Sequence, residues 1–203
     1  YWGVELLFNK RFSSRWQLLA SYVYSKAWGT MDNDVANDIG WNWRGWLFPG
    51  DPNFWLNADG RSTYDPTHVL KVQGTYIIPW ADVSLSFYFR TISGYPWTSN
   101  YRTELLAQGL VTFFAEPRGS HRYEMQKIVD VRLEKIFTLA GKYRLGFIAD
   151  VFNVFNADTI TNWGTLLNSD YFLTPDIYPS ADGHAIKSIL TPRQARLGIR
   201  FIF

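Results

Sequence analysis

Charged residues that could form a binding surface alternate with apolar residues in this sequence. In the segment VDVRLEK, residues 129–135, Asp130, Arg132 and Glu134 alternate with valine and leucine. Because successive side chains of a strand point to opposite faces, the three charges are predicted to share one face. The same spacing places four further charges on the polar sides of other segments: Glu5, Arg90, Arg196 and Arg200. Such a surface could contact a domain packed against it or line a path for a solute, although any water-filled interior also favours polar side chains.

A second set of candidates lies in the segment 31–60, which is rich in aromatic residues and carboxylates. Exposed rings could stack on a sugar or an apolar ligand, and the candidates are Trp41, Trp43, Trp46 and Trp55. The same rings could instead form the small core that a long loop needs. Calcium takes hard oxygen ligands, which Asp32, Asp34 and Asp38 could supply. The spacing of an EF-hand loop is missing, so no metal site is assigned.

Catalytic arrangements have little support in the sequence. It has no cysteine, and its three histidines, His68, His121 and His184, are far apart. Ser120 precedes His121, but there is no nucleophile elbow and no ordered triad spacing. A net charge of +2 without a basic run gives no reason to expect nucleic-acid binding. We therefore expect a protein that is not an enzyme and that needs no cofactor.

Seven extended segments must position these residues. Each alternates apolar and polar side chains, and their ranges are 1–12, 16–30, 68–80, 83–97, 124–139, 143–156 and 190–203. Strands of soluble proteins run about five or six residues, whereas a tilted strand that crosses a membrane needs about 9–11. The lengths therefore favour an all-β fold, an antiparallel transmembrane β-barrel, over a soluble sandwich that buries its apolar face against a second sheet. Asn153 and Asn156 are interpreted as residues that end a strand.

The connections between the segments alternate in length. Residues 13–15, 81–82 and 140–142 are short connections, whereas 31–67, 98–123 and 157–188 are long. Outer-membrane barrels show this asymmetry, with short periplasmic turns and long extracellular loops. Tryptophans lie near both ends of the segments, as in the aromatic belts of membrane interfaces. They are Trp16 and Trp80 at the short-turn end, and Trp2, Trp28 and Trp97 at the long-loop end.

Composition agrees with alternating strands rather than with membrane helices. Aromatic residues make up 18% of the 203 residues, and mean hydropathy is −0.17. No run approaches the roughly eighteen apolar residues of a membrane helix. Seven is an odd number, whereas single-chain bacterial barrels have an even number of strands. We therefore expect residues 1–203 to be the C-terminal segment of a larger barrel.

Several segments resemble a known family. VDVRLEKIF, RLGFIADVFNVFN and LTPRQARLGIRFIF resemble the closing strands of TonB-dependent outer-membrane transporters. SYVYSKAWGTMD and DGRSTYDPTHVLKVQGTYIIP resemble the Oar-like branch, whose members often carry a carboxypeptidase-regulatory-like domain. The resemblance implies that these are seven C-terminal strands of a 22-stranded barrel around an N-terminal plug. The plug and the remaining strands are not in this sequence.

The resemblance also implies a function and partners. It implies a receptor in the cell outer membrane that binds a scarce, unidentified solute at extracellular loops and imports it to the periplasm. Energy would come from the TonB complex through parts that are not present here. The partners would include outer-membrane lipid and the barrel-assembly machinery, for which Phe203 resembles the terminal signal. A structural or surface-interaction barrel, a passive porin and a barrel-borne hydrolase remain alternatives.

Overall fold

The computed structural model describes residues 1–30, 55–102, 112–139, 141, 143–165 and 185–203. Strands, turns and irregular segments make up these ranges. Nowhere in them is there a helix long and apolar enough to cross a membrane.

Seven long strands form one antiparallel sheet in which sequence order is also spatial order. Each strand therefore pairs with its neighbour in the chain, which is an up-and-down meander. The strands are β1 Trp2–Ser13, β2 Trp16–Lys26, β3 His68–Ile78, β4 Val83–Ile92, β5 Gln126–Leu139, β6 Tyr143–Phe152 and β7 Gln194–Ile202. The prediction of seven long antiparallel strands is confirmed. Among the described residues β1 pairs only with β2 and β7 only with β6, so the sheet is open.

Short turns join the strands at one end of the sheet, which we call the turn end. Ser14 and Arg15 have φ angles of 51° and 71°, so β1 and β2 are joined by a two-residue turn with both central residues in the left-handed region. Asp82 and Gly141 also have positive φ, 48° and 73°. Long connections join the strands at the opposite end, the loop end.

At the loop end β2, β4 and β6 stop earlier than the alternation predicts, and β5 and β7 begin later. The long connections contain short ladders of their own. The ladders pair Trp28–Gly29 with Gly60–Arg61, Pro96–Trp97 with His121–Arg122, Asn100–Arg102 with Thr112–Phe114, and Ile160–Trp163 with Ile186–Ile189. The segment predicted as 83–97 is interrupted after Ile92. A Cβ atom at Gly94 would overlap the carbonyl oxygen of Tyr123, so the chain there is held by a contact from beyond β4 rather than by the sheet.

The register divides the sheet into two faces. On the apolar face, Leu133 lies opposite Leu85 of β4 and Ala149 of β6. On the polar face, Asp150 lies opposite Arg132 of β5 and Arg196 of β7. The few buried hydrophobic residues lie in the long connections, namely Ala58, Trp97, Phe114 and Leu190.

The apolar face is not covered by a second layer. Leu6 is 62% exposed, Leu197 85% and Ile199 72%. In the part of the chain that the structure describes, the seven long strands lie in one sheet, which argues against the sandwich alternative because a sandwich would bury these side chains.

Candidate functional site

A charge network crosses the polar face from β5 to β7. Asp150 is buried, with 4% of its side chain exposed, and accepts hydrogen bonds from two arginines. The Nε atom of Arg132 lies 2.6 Å from Oδ1, and Nη2 of Arg196 lies 2.7 Å from Oδ2. Arg200 pairs with Glu134 in a second bridge. Charge-assisted bonds of this kind are stronger than neutral ones, so the network ties three strands together.

The other predicted charges of this face are not part of the network. Asp130 accepts the backbone N–H of Asn153 at 2.8 Å and so stabilises the end of β6. Arg90 lies directly opposite Lys71 on β3, and Glu5 lies opposite Val23 near the edge of the sheet. The structure therefore places all seven predicted charges on one face. Among the described residues, the ion pairs of these seven involve Arg132, Glu134, Arg196 and Arg200.

The polar face is concave around the network. A groove of about 690 Å³ is bordered by side chains of six strands, β1 to β6. Its polar lining includes Gln73, Tyr88, Asp130, Arg132 and Asp150. Because the lining carries acids, bases, amides and a phenol, this surface can contact a polar protein domain or water. It is not specific for one ligand.

A stretch of the apolar face between two lysines carries no charge, both on β5 and on the β1–β2 pair. On β5, Lys127 and Lys135 are eight residues apart, with Val129, Val131 and Leu133 between them on the same face. The face of β5 continues past the second lysine with the exposed Phe137 and Leu139. On β1 and β2, Lys26 lies opposite Trp2, and Lys10 follows eight residues after Trp2. Both charge-free stretches therefore measure about 26 Å along the strand at about 3.3 Å per residue.

The two lysines nearest the turn end direct their ammonium groups to the turns. Lys10 donates to the carbonyl oxygens of Ser13 and Trp16 at 3.1 and 3.2 Å, and its Nζ lies 3.9 Å from the centre of the Trp16 ring. Lys135 donates to the carbonyl oxygens of Ala81 and Asp82. A long side chain that carries its charge away from an apolar surface in this way is said to snorkel.

Hydrogen bonds of polar side chains join the connections at the loop end to one another. We call this region the loop cap; it comprises residues 57–67, 93–102 and 112–125. Arg122 donates to the carbonyl oxygens of Asp65 and Gly94, both at 2.8 Å, and to the hydroxyl of Thr67. Burial of the guanidinium and the nearby charge of Arg61 lower the pKa of Arg122, although the carboxylate of Asp65 opposes that shift. These contacts fix the start of β3 against the ladder that follows β4.

An aromatic cluster forms the other half of the loop cap. Trp97 is 6% exposed and stacks on His121, with ring centroids 4.5 Å apart. The imidazole of His121 lies 2.9 Å from the carboxylate of Glu116, which also accepts the N–H of Ser99 at 2.9 Å. Partial burial on its own would raise the pKa of Glu116, but hydrogen bonds from Ser99 and His121 outweigh it, so the pKa is lowered.

The predicted loop and terminal residues have different outcomes. Trp41, Trp43, Trp46 and the calcium candidates Asp32, Asp34 and Asp38 lie outside the described residues. Trp55 is 42% exposed at the surface. Phe203 is 95% exposed and stacks on Phe201, whose ring centroid is 6.1 Å away. Within the ranges the structure describes, no three His, Asp or Glu side chains are grouped as metal ligands.

Two further residues organise the polar face: Asp150, which the alternation of its segment also predicts on that face, and Asn153, which was predicted only to end a strand. Asp150 accepts hydrogen bonds from Arg132 and Arg196. The side chain of the buried Asn153 makes three hydrogen bonds to the backbone, two with Ala157 and one with Thr191. Both belong to the motif DVFNVFN, residues 150–156. The alternation of β6 predicts that the carboxylate of Asp150 lies on the polar face. It does not predict the arginine partners, because they depend on the register of β6 with β5 and β7.

Comparison with known proteins shows a similarity of fold to a solved structure. No family model matches the sequence, and no curated protein matches it. The chain is similar in structure to the ferric-catecholate import receptor Fiu from E. coli K12 in its closed form, with 16% identity and a TM-score of 0.51. The match covers 98% of this chain and 20% of that chain, so this chain spans about one fifth of that receptor's length. At this identity, the similarity concerns the fold.

Proposed function

We propose that these residues form part of the wall of an outer-membrane β-barrel that acts as a TonB-dependent receptor for a scarce solute. The exposed apolar face, with its charge-free stretch between lysines, is the observation that carries the proposal. In this arrangement the apolar face contacts lipid and the polar face borders an aqueous interior. The similarity of the fold to part of a ferric-catecholate import receptor supports a receptor of this kind.

The dimensions of the charge-free band fit the bilayer. A stretch of about 26 Å along a strand tilted by about 40° spans roughly 20 Å along the membrane normal. The apolar band of an outer-membrane barrel is about 25 Å tall, and snorkelling lysines extend the usable height. Arg or Lys held in the middle of that band would cost about 2–4 kcal/mol, which explains why no charge lies within the stretch between the lysines.

The open edges of the sheet support a larger wall. In lipid, the unpaired N–H and C=O groups of an edge strand have no water to bond, so β1 and β7 need further strands. We propose that other strands of a longer protein close the wall, to the twenty-two that the resemblance implies, around a plug domain that contacts the polar face. Phe203 would lie at the periplasmic rim, where the barrel-assembly machinery could recognise it.

The loop cap lies at the end of the sheet that the proposal places outside the cell. Its locked polar and aromatic contacts would give the loops a rigid base from which to bind a solute. The similar structure is named as a ferric-catecholate import receptor, which supplies a first compound to test. We propose binding and import, and no covalent chemistry, for these residues.

Neighbouring residues on β4 test the lipid-facing assignment. Leu85 is on the apolar face, while Ser84 lies on the polar face opposite Glu134. Leu85→Arg should reduce the folded protein recovered from outer membranes, because the charge meets lipid; Ser84→Arg should leave recovery unchanged. The amount of folded protein is measured on a detergent gel, as the fraction of an unheated sample that migrates at a position different from that of the heated, unfolded sample. Equal recovery of the two variants would contradict the proposal.

Uptake by cells tests the receptor function. A strain that expresses the full protein should accumulate a labelled ferric catecholate or another scarce solute, and accumulation should stop when the gene is deleted or when TonB is removed. Accumulation that survives removal of TonB would instead support a passive porin. A protein that is present in the outer membrane and supports uptake of no tested solute would favour a surface-interaction barrel.

A further inference from the structure

The loop end of the apolar face carries a basic and aromatic cluster between β1, β2 and β3, formed by Trp2, Tyr22, Tyr24, Lys26 and His68. The ring of Trp2 packs edge-on against Tyr24 with centroids 5.3 Å apart, and Tyr24 lies 5.0 Å from His68. The hydroxyl of Tyr22 is 2.8 Å from Nδ1 of His68. Four rings therefore form one continuous surface at this level of the sheet.

Lys26 places a positive charge on that surface. Its Nζ lies 5.8 Å from the centre of the Trp2 ring and 5.9 Å from that of Tyr24. Lys10 and Lys135 at the turn end use their ammonium groups on nearby carbonyl oxygens, whereas no described residue gives Lys26 an ion pair or a carbonyl. A cation held beside aromatic rings, with no carboxylate partner among the described residues, is complementary to an anion.

His68 adds a second donor to the same surface. When the Tyr22 hydroxyl donates to Nδ1, the proton of the neutral imidazole is on Nε2. The backbone of His68 is also fixed, because its N–H donates to Ser93 Oγ at 2.8 Å. The donor and the lysine are thus held on neighbouring strands, since His68 lies opposite Tyr24, two residues before Lys26.

We propose that this cluster binds a phosphate-bearing lipid headgroup of the outer leaflet. The rings would lie at the interface, where amphipathic side chains are favoured, and Lys26 and His68 would contact the phosphate. The inference rests on the proposed position of the apolar face in the membrane. What is new is a specific contact with one lipid headgroup, at the loop end of β1, β2 and β3.

Lipid titration with matched variants tests the proposal. The full protein in neutral detergent is titrated with fluorescent lipid A that carries its phosphates, and with the same lipid after dephosphorylation. One basic side chain near a charged surface contributes about a fivefold change in affinity. Lys26→Gln should therefore weaken binding of the phosphorylated lipid by about that factor, while Lys26→Arg should keep it.

Lys127 supplies the matched control. It lies at the loop end of the apolar face opposite Thr91, and no ring contact is described for it. Lys127→Gln should change affinity less than twofold, whereas equal losses in the Lys26 and Lys127 variants would overturn the proposal. So would equal affinity of the wild-type protein for the two lipids, or displacement of the lipid by inorganic phosphate.

Two further measurements distinguish failure of the headgroup site from failure of the proposed membrane position. Heat-modifiable migration of each variant shows that it is folded, and a requirement for detergent shows that the protein inserts in membranes. A folded, detergent-requiring protein that does not distinguish the lipids refutes the headgroup site alone. A protein that is stable in solution without detergent refutes the membrane position, and with it this inference.

Discussion

Replacing Asn153 tests how the loop end of β6 is stabilised. The side chain is 5% exposed, donates to the carbonyl oxygens of Ala157 and Thr191 at 2.9 and 2.8 Å, and accepts the N–H of Ala157 at 2.8 Å. Each of these three bonds contributes about 0.5–1.5 kcal/mol, so Asn153→Ala should lose about 1.5–4.5 kcal/mol from the hydrogen bonds alone. The φ angle of 50° adds roughly 1 kcal/mol, because alanine is disfavoured in the left-handed region.

Asn153→Gly separates these two contributions. Glycine loses the same three bonds but adopts positive φ freely, so this variant should be about 1 kcal/mol more stable than the alanine variant. The control is Asn156→Ala, at an exposed residue with similar φ of 53° and one side-chain bond to the N–H of Arg193. Stability is measured from the urea dependence of heat-modifiable migration in detergent. Losses at Asn153 no larger than at Asn156 would refute the reasoning.

Three further changes probe the turn end, the charge network and the loop cap. Ser14→Asn with Arg15→Gly should stabilise the protein by about 1 kcal/mol in urea unfolding, because both turn residues have positive φ; a loss would contradict the assigned turn. Asp150→Ala should destabilise by about 2–3 kcal/mol, since it removes both arginine pairs, whereas Arg132→Gln, which keeps one pair, should cost less. The lowered pKa of Glu116 means that its stabilising contribution is present above the unfolded pKa near 4.5 and is lost as pH falls through the lower folded pKa. Proteolysis of the loop cap should therefore accelerate in that acidic range, and Glu116→Gln should remove that pH dependence.

Alternation along single segments predicted the two faces of the sheet because a strand has a side-chain period of two. Asp130, Arg132 and Glu134 share a face for that reason alone. The partners of these charges could not be predicted in the same way. Whether Arg132 meets Asp150 depends on the register between β5 and β6, which is set by turn geometry and by pairing across the whole sheet.

The loop cap was missed because its contacts join residues that are distant in sequence. Trp97 was predicted only as an interfacial ring, whereas it is buried against His121 on another connection. The alternating pattern continues through residues 93–97, yet β4 stops at Ile92, where the carbonyl of Tyr123 approaches Gly94. No local pattern carries information about that approach.

Spin labels along β5 give the most direct measurement of the central claim, that the apolar face contacts lipid and the polar face contacts water. The sequence has no cysteine, so single cysteines can be introduced at each position from 129 to 134 without a background thiol. In membranes, labels at Val129, Val131 and Leu133 should be accessible to oxygen, and labels at the alternate positions should be accessible to a water-soluble nickel chelate. Equal access of the nickel chelate to both sets, or protection of both sets from both reagents, would contradict the account.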